Sequence, residues 1–244
     1  MKNYLIDSHC HLHDLEYYQG EKEEVLEHAH ELGVKKLITI GTDPDDSLVA
    51  KDFSMKHSGV YWSYGIHPEY ATKYKELSLP KERNKLVAIG EVGLDYHYGF
   101  DSKKEQIFLL ENILQVAQEE KIPVIFHIRE AFDDFWPILA NFHLVGAVLH
   151  SFSDNKKNLQ KGLENNCHIG VNGLATFATL PMAPLEKILL ETDAPFLTPK
   201  PFRGRVNEPG YVKYVADWLA EKTGLELQEI YDITTKNTEK LFGI

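Results

Sequence analysis

The sequence predicts a single (β/α)8 barrel of the TIM type. Eight short apolar runs alternate with helix-forming segments along 244 residues, the pattern of a parallel sheet joined by crossover helices. The length is that of one barrel. No GxGxxG turn or GxxxxGK[ST] loop marks an open doubly wound sheet, which is the competing architecture. No low-complexity linker interrupts the chain, so residues 1–244 read as one domain.

Strands are expected at Tyr4–His9, Lys36–Gly41, Val60–Ile66, Leu86–Glu91, Pro123–His127, Gly146–His150, Cys167–Val171 and Lys187–Thr192. The first follows directly on Met1-Lys2-Asn3. Helices are expected at Glu21–Leu32, Asp45–His57, Glu69–Leu79, Lys103–Glu120, Glu130–Ala140 and Asn155–Glu164, from their periodicity or helix-forming composition. Gly33, Gly59 and Pro123 punctuate the helix-to-strand passages. Two further helices, Tyr211–Thr223 and Leu227–Leu241, follow the last strand. The crossover between strands seven and eight is shortened. Asn172–Glu186 is about 15 residues and contains Pro181 and Pro184, so a loop or one short turn is expected there.

Hydrophobic residues make up 43% of the chain and charged residues 26%, ordinary for a globular protein. Lys and Arg number 26 against 37 Asp and Glu, a formal net charge of −11. That argues against a large basic face for nucleic acid, but it leaves room for a local anion site, because bound cations add to the local charge. Cys10 and Cys167 form no CxxC pair or disulfide framework, which suits a reduced compartment. No signal-peptide core and no apolar run of membrane-spanning length is found. The expectation is a cytoplasmic protein without a membrane partner. His28, His30, His57 and His143 read as surface residues.

In a barrel, functional side chains come from the C-terminal ends of the strands. His9 and His11 end strand one with i,i+2 spacing, which puts both imidazoles on one side of an extended chain. Glu91 ends strand four, His127 strand five, His150 strand six, and Asp193 follows strand eight. Any one of these histidines alone reads as a hydrogen-bonded structural residue. Six metal-competent groups at five strand ends are hard to explain as packing, since buried polar groups must be paired or metal-bound. Imidazole with carboxylate suits zinc, manganese or iron, and magnesium less well. A set this large fits two ions bridged by a carboxylate, which points to hydrolysis by activated water.

Arg129 lies two residues past His127 and reaches the same mouth, which suggests an anionic substrate such as a phosphate. The plainer reading is an ion pair with Glu130 or Asp133. His67, in Gly65-Ile66-His67-Pro68, is either a further mouth residue facing a leaving group or phosphate, or a loop histidine held by the Pro68 turn. Arg203 and Arg205 follow strand eight and either meet a polyanion or pair with nearby acids. Asn207 and Glu208 read as loop-fixing groups. Tyr96, Phe152 and Phe196 are placed to stack on a base, with packing the simpler role. Cys10 alternates away from His9 and His11 and reads as buried and inert.

The motifs Asp7-Ser8-His9-Cys10-His11-Leu12, Gly65-Ile66-His67-Pro68, Ile89-Gly90-Glu91-Val92-Gly93-Leu94-Asp95-Tyr96, Pro123-Val124-Ile125-Phe126-His127-Ile128-Arg129, His150-Ser151-Phe152-Ser153 and Glu191-Thr192-Asp193-Ala194-Pro195-Phe196-Leu197 resemble the TatD family of metal-dependent deoxyribonucleases, within the amidohydrolase-like barrels. The Arg205–Pro209 loop and the terminal Asn237–Gly243 segment are similar too, so the resemblance runs from Leu5 to Phe242. It implies one ion held by His9, His11, Glu91 and Asp193, and a second by Glu91, His127 and His150, with Glu91 bridging. It implies magnesium or manganese, with zinc as an alternative, and a DNA substrate, single-stranded or cut from 3′ ends. Asp193 would orient or deprotonate the water, and Arg129 would steady the phosphate.

The chain departs from the family pattern in three places. His13 stands where Asp is usual, Asp154 stands where Gly is usual, and about ten residues are missing before strand eight. The gap is expected to thin the barrel wall and expose Phe177, Leu180 and Met182. Two rival functions stay open on the sequence alone: hydrolysis of a small ester, amide or lactone on the same centre, and a catalytically weak binding or assembly protein.

Overall fold

Eight parallel strands stand where the apolar runs predict them: β1 (Leu5–Cys10), β2 (Val34–Thr39), β3 (Val60–Tyr64), β4 (Leu86–Asp95), β5 (Val124–Arg129), β6 (Ala147–Leu149), β7 (His168–Val171) and β8 (Ile188–Leu190). The computed structural model describes residues 4–14, 18 and 21–244; Met1–Asn3, expected to lead into β1, lie outside the described residues. The strands pair in chain order. The barrel closes through a parallel bridge between Cys10 and Ala194. There the His11 N–H donates to the Ala194 carbonyl at 2.7 Å, and the Asp193 N–H donates to the His9 carbonyl at 2.8 Å. Closure therefore sets the end of β1 and the segment after β8 side by side at the mouth.

Helices α1 (Lys22–Glu31), α2 (Pro44–Lys56), α3 (Lys103–Glu120), α4 (Phe132–Leu139) and α5 (Lys156–Glu164) lie in the crossovers, and α6 (Val212–Thr223) and α7 (Leu227–Phe242) follow β8. Each has a local cause. Asp43 caps α2 by accepting the N–H groups of Asp45 and Asp46, with Pro44 in the first turn. Helix α3 buries Gln106, Leu109, Leu110, Ile113, Leu114 and Ala117, a three-and-four-spaced stripe against the sheet.

The helix expected at Glu69–Leu79 is absent. A 3-10 turn at Pro68–Tyr70 is followed by irregular turns. The apolar spacing that suggests a helix is real, since Ala71 and Leu77 are buried. The backbone does not follow it, because the Lys75 ammonium takes the Ala71 carbonyl that a helical N–H would use, and Pro80 disfavours a helical Leu79. The β7–β8 crossover carries only short 3-10 turns, at Gly173–Thr176 and Leu185–Lys187, as its length and prolines require. Of the apolar residues expected to be exposed there, only Met182 is, at 38%. Phe177 and Leu180 are half-buried, and the Arg203 guanidinium lies 3.6 Å over the Phe177 ring. Trp218 of α6 and Met182 border a void of only about 20 Å³ behind β7. Asn207 does fix its loop: it is fully buried and donates to the Thr192 and Phe196 carbonyls.

Strand alternation carries the barrel from apolar to polar. Ile125 precedes His127 by two, Val148 precedes His150 by two, and Leu189 precedes Glu191 and Asp193 on the same face. Ile38, Ile125, Val148 and Leu189 join Phe242 in one buried cluster. The ordered polar residues sit one step further toward the mouth.

One buried group makes the fold acid-sensitive. His168, on β7, has a buried Nδ1 without a hydrogen-bond partner, and burial pushes its pKa down to about 4 from 6.5. The unfolded chain therefore takes a proton that the folded chain refuses. Stability is fully present above about pH 6.5 and falls as the pH drops toward 4. Thermal melts across this window should show wild type losing more stability than His168→Gln; parallel curves would contradict the assignment.

Candidate metal centre

Glu91 is the hub of the mouth. It projects from a bulge in β4, where Ile89 pairs with Val124 but Val92 already pairs with Phe126, leaving an extra residue on β4. Two glycines let neighbouring strands close around it. A Cβ on Gly65 would sit 2.4 Å from the Gly90 carbonyl carbon, and one on Gly93 (φ +154°) would sit 1.9 Å from the His127 carbonyl oxygen. Both are incompatible with a side chain.

Four imidazoles surround the carboxylate. His127 Nδ1 lies 2.8 Å and His150 Nε2 3.1 Å from Oε1, while His9 Nε2 lies 3.5 Å and His11 Nε2 3.9 Å from Oε2. Asp193 follows β8 in a left-handed conformation (φ +58°). Its Oδ1 is 3.5 Å from His9 Nε2 and 3.7 Å from His11 Nε2. The six residues expected from the sequence are thus brought together. They fall into overlapping groups. His9, His11 and Asp193 form one set, His9, Glu91 and His150 a second, and His67, Glu91 and His127 a third. His127 and His150 both approach Glu91 Oε1, with ring centroids 5.8 Å apart.

The donor set fits metal ions on the structure's own terms. Both ring nitrogens of His9 are buried without a hydrogen-bond partner, an expensive state for polar atoms unless something else binds them. Its Nε2 is equidistant from two carboxylate oxygens, at 3.5 Å each. That is too long for a strong hydrogen bond and close to the roughly 3.4 Å between ligands that share a tetrahedral ion with bonds of about 2.1 Å. His11 Nδ1 donates to the Ile40 carbonyl at 3.0 Å, which leaves Nε2 with its lone pair toward Asp193.

Electrostatics agree. Burial alone would push the Glu91 carboxyl up, but the His150, His127 and His9 imidazoles hold it well below its usual range. Burial likewise opposes ionisation of Asp193, and the hydrogen bond to His11 with the charges of His150 and His9 overcomes it. Burial pushes His9 down, helped by its neighbour His150, whose ring stacks on it at 3.8 Å. His150 goes well up despite burial, because Glu91 and Glu191 face it. The two carboxylates are held ionised, while the same carboxylate neighbours push His11 up, His127 up to about 8 and His150 well up, so a divalent cation would displace protons from these imidazoles as it binds.

The remaining candidates divide. His67 sits at the rim, its Nε2 4.0 Å from Glu91 Oε1, while its Nδ1 accepts the Glu69 N–H at 3.3 Å. Arg129 makes no ion pair among the described residues: Glu130 is taken by His97 at 2.7 Å, and the guanidinium lies 4.8 Å over the Tyr98 ring. Arg203 and Arg205 lie over Phe177 and Phe202 rather than on acids. Phe152 is buried, Tyr96 is half-buried, and Phe196 is 46% exposed beside His11. Cys10 is fully buried, as expected. His13 stays out of the donor set: its ring bridges Thr39 Oγ1 at 2.6 Å and Asp46 Oδ1 at 2.9 Å, bracing the start of α2.

Sequence reasoning missed two carboxylates. Asp95 lies 3.0 Å from His127 Nε2. Glu191, 1% exposed, lies 3.5 Å from His150 Nδ1 and accepts the Ser151 N–H at 2.6 Å. Both were visible as period-two companions, Glu91 with Asp95 and Glu191 with Asp193, on strand faces already known to be inward.

A closed parallel barrel with overlapping His–carboxylate groups at the C-terminal mouth defines a metal-dependent hydrolase with a centre suited to two divalent ions. The chain belongs to the TatD related DNase family, whose profile matches residues 6–243. It is 36% identical to an uncharacterized metal-dependent hydrolase, YabD, of Bacillus subtilis, over 98% of this chain and 99% of that one. It is 32% identical to the 3′-5′ ssDNA/RNA exonuclease TatD of Citrobacter rodentium, over 92% of each chain. The crystal structure of YJJV, a TatD homologue from Escherichia coli K12, superposes over the full length of both chains with a TM-score of 0.91 at 29% identity.

Replacing the hub tests the centre. Glu91→Ala is expected to leave a folded protein that retains less than one equivalent of divalent metal after dialysis, against two in wild type, measured by elemental mass spectrometry. Undiminished metal in the variant would contradict a carboxylate-bridged centre.

Proposed function

We propose that the protein hydrolyses phosphodiester bonds of single-stranded DNA from the 3′ end. In this reading it acts in the cytoplasm as one domain spanning residues 1–244, with magnesium or manganese as the physiological ions. His9, His11, Glu91 and Asp193 would hold one ion, and Glu91, His127 and His150 the other. The observation that carries the reading is Arg129. It has no ion-pair partner among the described residues and lines a cavity of about 390 Å³ that also contains His127, His150, Asp193 and Phe196. An unpaired guanidinium beside such a centre is a phosphate site. The cavity volume falls in the range of small-ligand sites, about 300–1,000 Å³, which suits a single nucleotide rather than a duplex. The exonuclease relative supports the polarity and strandedness. No helix among the described residues is long and apolar enough to cross a membrane.

When bound, divalent ions supply a nucleophilic water at neutral pH and neutralise charge on the phosphate. The chain's own groups do the rest. Asp193, ionised despite burial, orients the attacking water and accepts its proton. Arg129 holds a non-bridging phosphate oxygen and stabilises the charge that grows there. His67, whose Nδ1 accepts a backbone N–H, carries its proton on Nε2 and presents it to the leaving oxygen. Phe196 offers an exposed ring edge to the terminal base.

The test is a cleavage panel of single-stranded DNA, duplex DNA, RNA, small phosphodiesters, lactones and carboxyl esters, each with magnesium, manganese and zinc. Preferential release of mononucleotides from 3′ ends of single strands is expected; turnover confined to lactones or carboxyl esters would overturn the reading. Arg129→Ala should lower kcat/KM on single-stranded DNA roughly 10- to 150-fold, the value of one charge-assisted hydrogen bond, with metal content unchanged.

A further inference from the structure

We propose that Asp95 is a positioning residue that holds His127 in the tautomer whose Nδ1 is free to bind metal; this rests on the assignment of His127 to the metal centre. His127 stands between two carboxylates, with Nδ1 2.8 Å from Glu91 Oε1 and Nε2 3.0 Å from Asp95 Oδ2. A neutral imidazole has one N–H and one lone pair. Glu91 and Asp95 both only accept when ionised, so without metal each ring nitrogen faces an acceptor; with a cation on the Glu91 side, Asp95 would be the acceptor left, Nε2 would carry the proton and the Nδ1 lone pair would face the centre. Partners of this kind orient metal-binding histidines.

Asp95 is itself held on every side. It is 5% exposed. Its Oδ1 accepts the His97 N–H at 2.9 Å and the Tyr98 N–H at 3.1 Å. Its backbone N–H donates to Gln106 Oε1 at 2.8 Å, and its carbonyl accepts from Gln106 Nε2 at 3.0 Å. Gln106 is fully buried on α3, and the same amide nitrogen reaches the Gly99 carbonyl and Ser102 Oγ. A continuous chain of contacts thus runs from α3 through Gln106 and Asp95 to His127 and Glu91.

This geometry makes asparagine at position 95 a directed probe. Two backbone N–H groups demand an oxygen at the Oδ1 position, so the amide nitrogen must face His127. His127 Nε2 then has to accept, and the proton moves to Nδ1, where a metal needs a lone pair. The same inversion explains why asparagine in place of the triad aspartate cripples serine proteases. Alanine at position 95 removes the bias and leaves both tautomers accessible. Asp95→Asn should therefore bind the second ion more weakly than Asp95→Ala. A purely structural role predicts the reverse, because asparagine keeps the loop bonds and the shape.

The test titrates metal-free wild type, Asp95→Asn and Asp95→Ala with manganese by calorimetry. It is paired with nitrogen NMR of the His127 tautomer in the metal-free proteins at alkaline pH, where the imidazole is neutral. Wild type should bind two ions and populate the Nε2-protonated tautomer of His127 more than Asp95→Asn does. Asp95→Asn should lose roughly 10- to 100-fold in affinity for one of them, with the proton on Nδ1 and a melting temperature close to wild type, and Asp95→Ala should lose less. Wild-type affinity in Asp95→Asn, an unchanged tautomer, or a larger loss in Asp95→Ala would overturn the inference. Wild type binding fewer than two ions would instead overturn the metal-centre assignment beneath it.

Discussion

The Glu91 carboxylate is 4% exposed and ionised, and a buried anion survives only if its surroundings compensate it. Three strands contribute to that compensation: His9 comes from β1, His127 from β5 and His150 from the end of β6. The backbone is anchored separately, the Glu91 N–H donating to the Gly41 carbonyl at 2.9 Å beyond β2. The bulge in β4 and the bare Cα atoms of Gly65 and Gly93 exist in this structure at the places where that carboxylate enters the barrel. Barrel closure through Cys10 and Ala194 then adds Asp193 and His11 to the same cluster. The mouth is therefore a single electrostatic unit.

Around this unit lies a layer of groups whose work is orientation. The Ile40 carbonyl fixes His11, Asp95 faces His127, and Glu191 faces His150. Glu191 packs where only a glycine could stand opposite, since a Cβ on Gly170 would meet its Oε2 at 2.3 Å. Asp7 clamps β1 to the segment after β8 by accepting from both the Thr192 N–H at 2.9 Å and its hydroxyl at 2.6 Å. The ligand side chains are already turned toward one another, so binding energy is not spent on ordering them. In the proposed reading substrate contact falls to Arg129, at the exposed end of β5, and Phe196, exposed in the segment after β8, both outside this layer.

Much of this was legible in the chain because strands repeat every two residues. His9 and His11, or Ile125 and His127, show inward faces directly, and apolar runs locate the strands within a few residues. Where period and length conflict with specific contacts, the sequence is less informative. Residues 69–79 have helical apolar spacing, but a lysine side chain and a downstream proline settle the backbone otherwise. Leu180 reads as exposed until α6 is seen to cover the shortened crossover. Spacing alone does not say which oxygen of Glu91 each imidazole reaches: His127 and His150 approach Oε1, and His9 and His11 approach Oε2. Asp95 and Glu191 were hidden in plain motifs because their partners are histidines on other strands.

Glu91 stands where one buried carboxylate would join two cations in this barrel. Anomalous diffraction from crystals of the manganese-loaded protein measures this directly. Two manganese peaks are expected, each within bonding distance of a Glu91 oxygen, with His9, His11 and Asp193 completing one and His127 and His150 the other. A single peak, or two peaks of which neither touches Glu91, would contradict it.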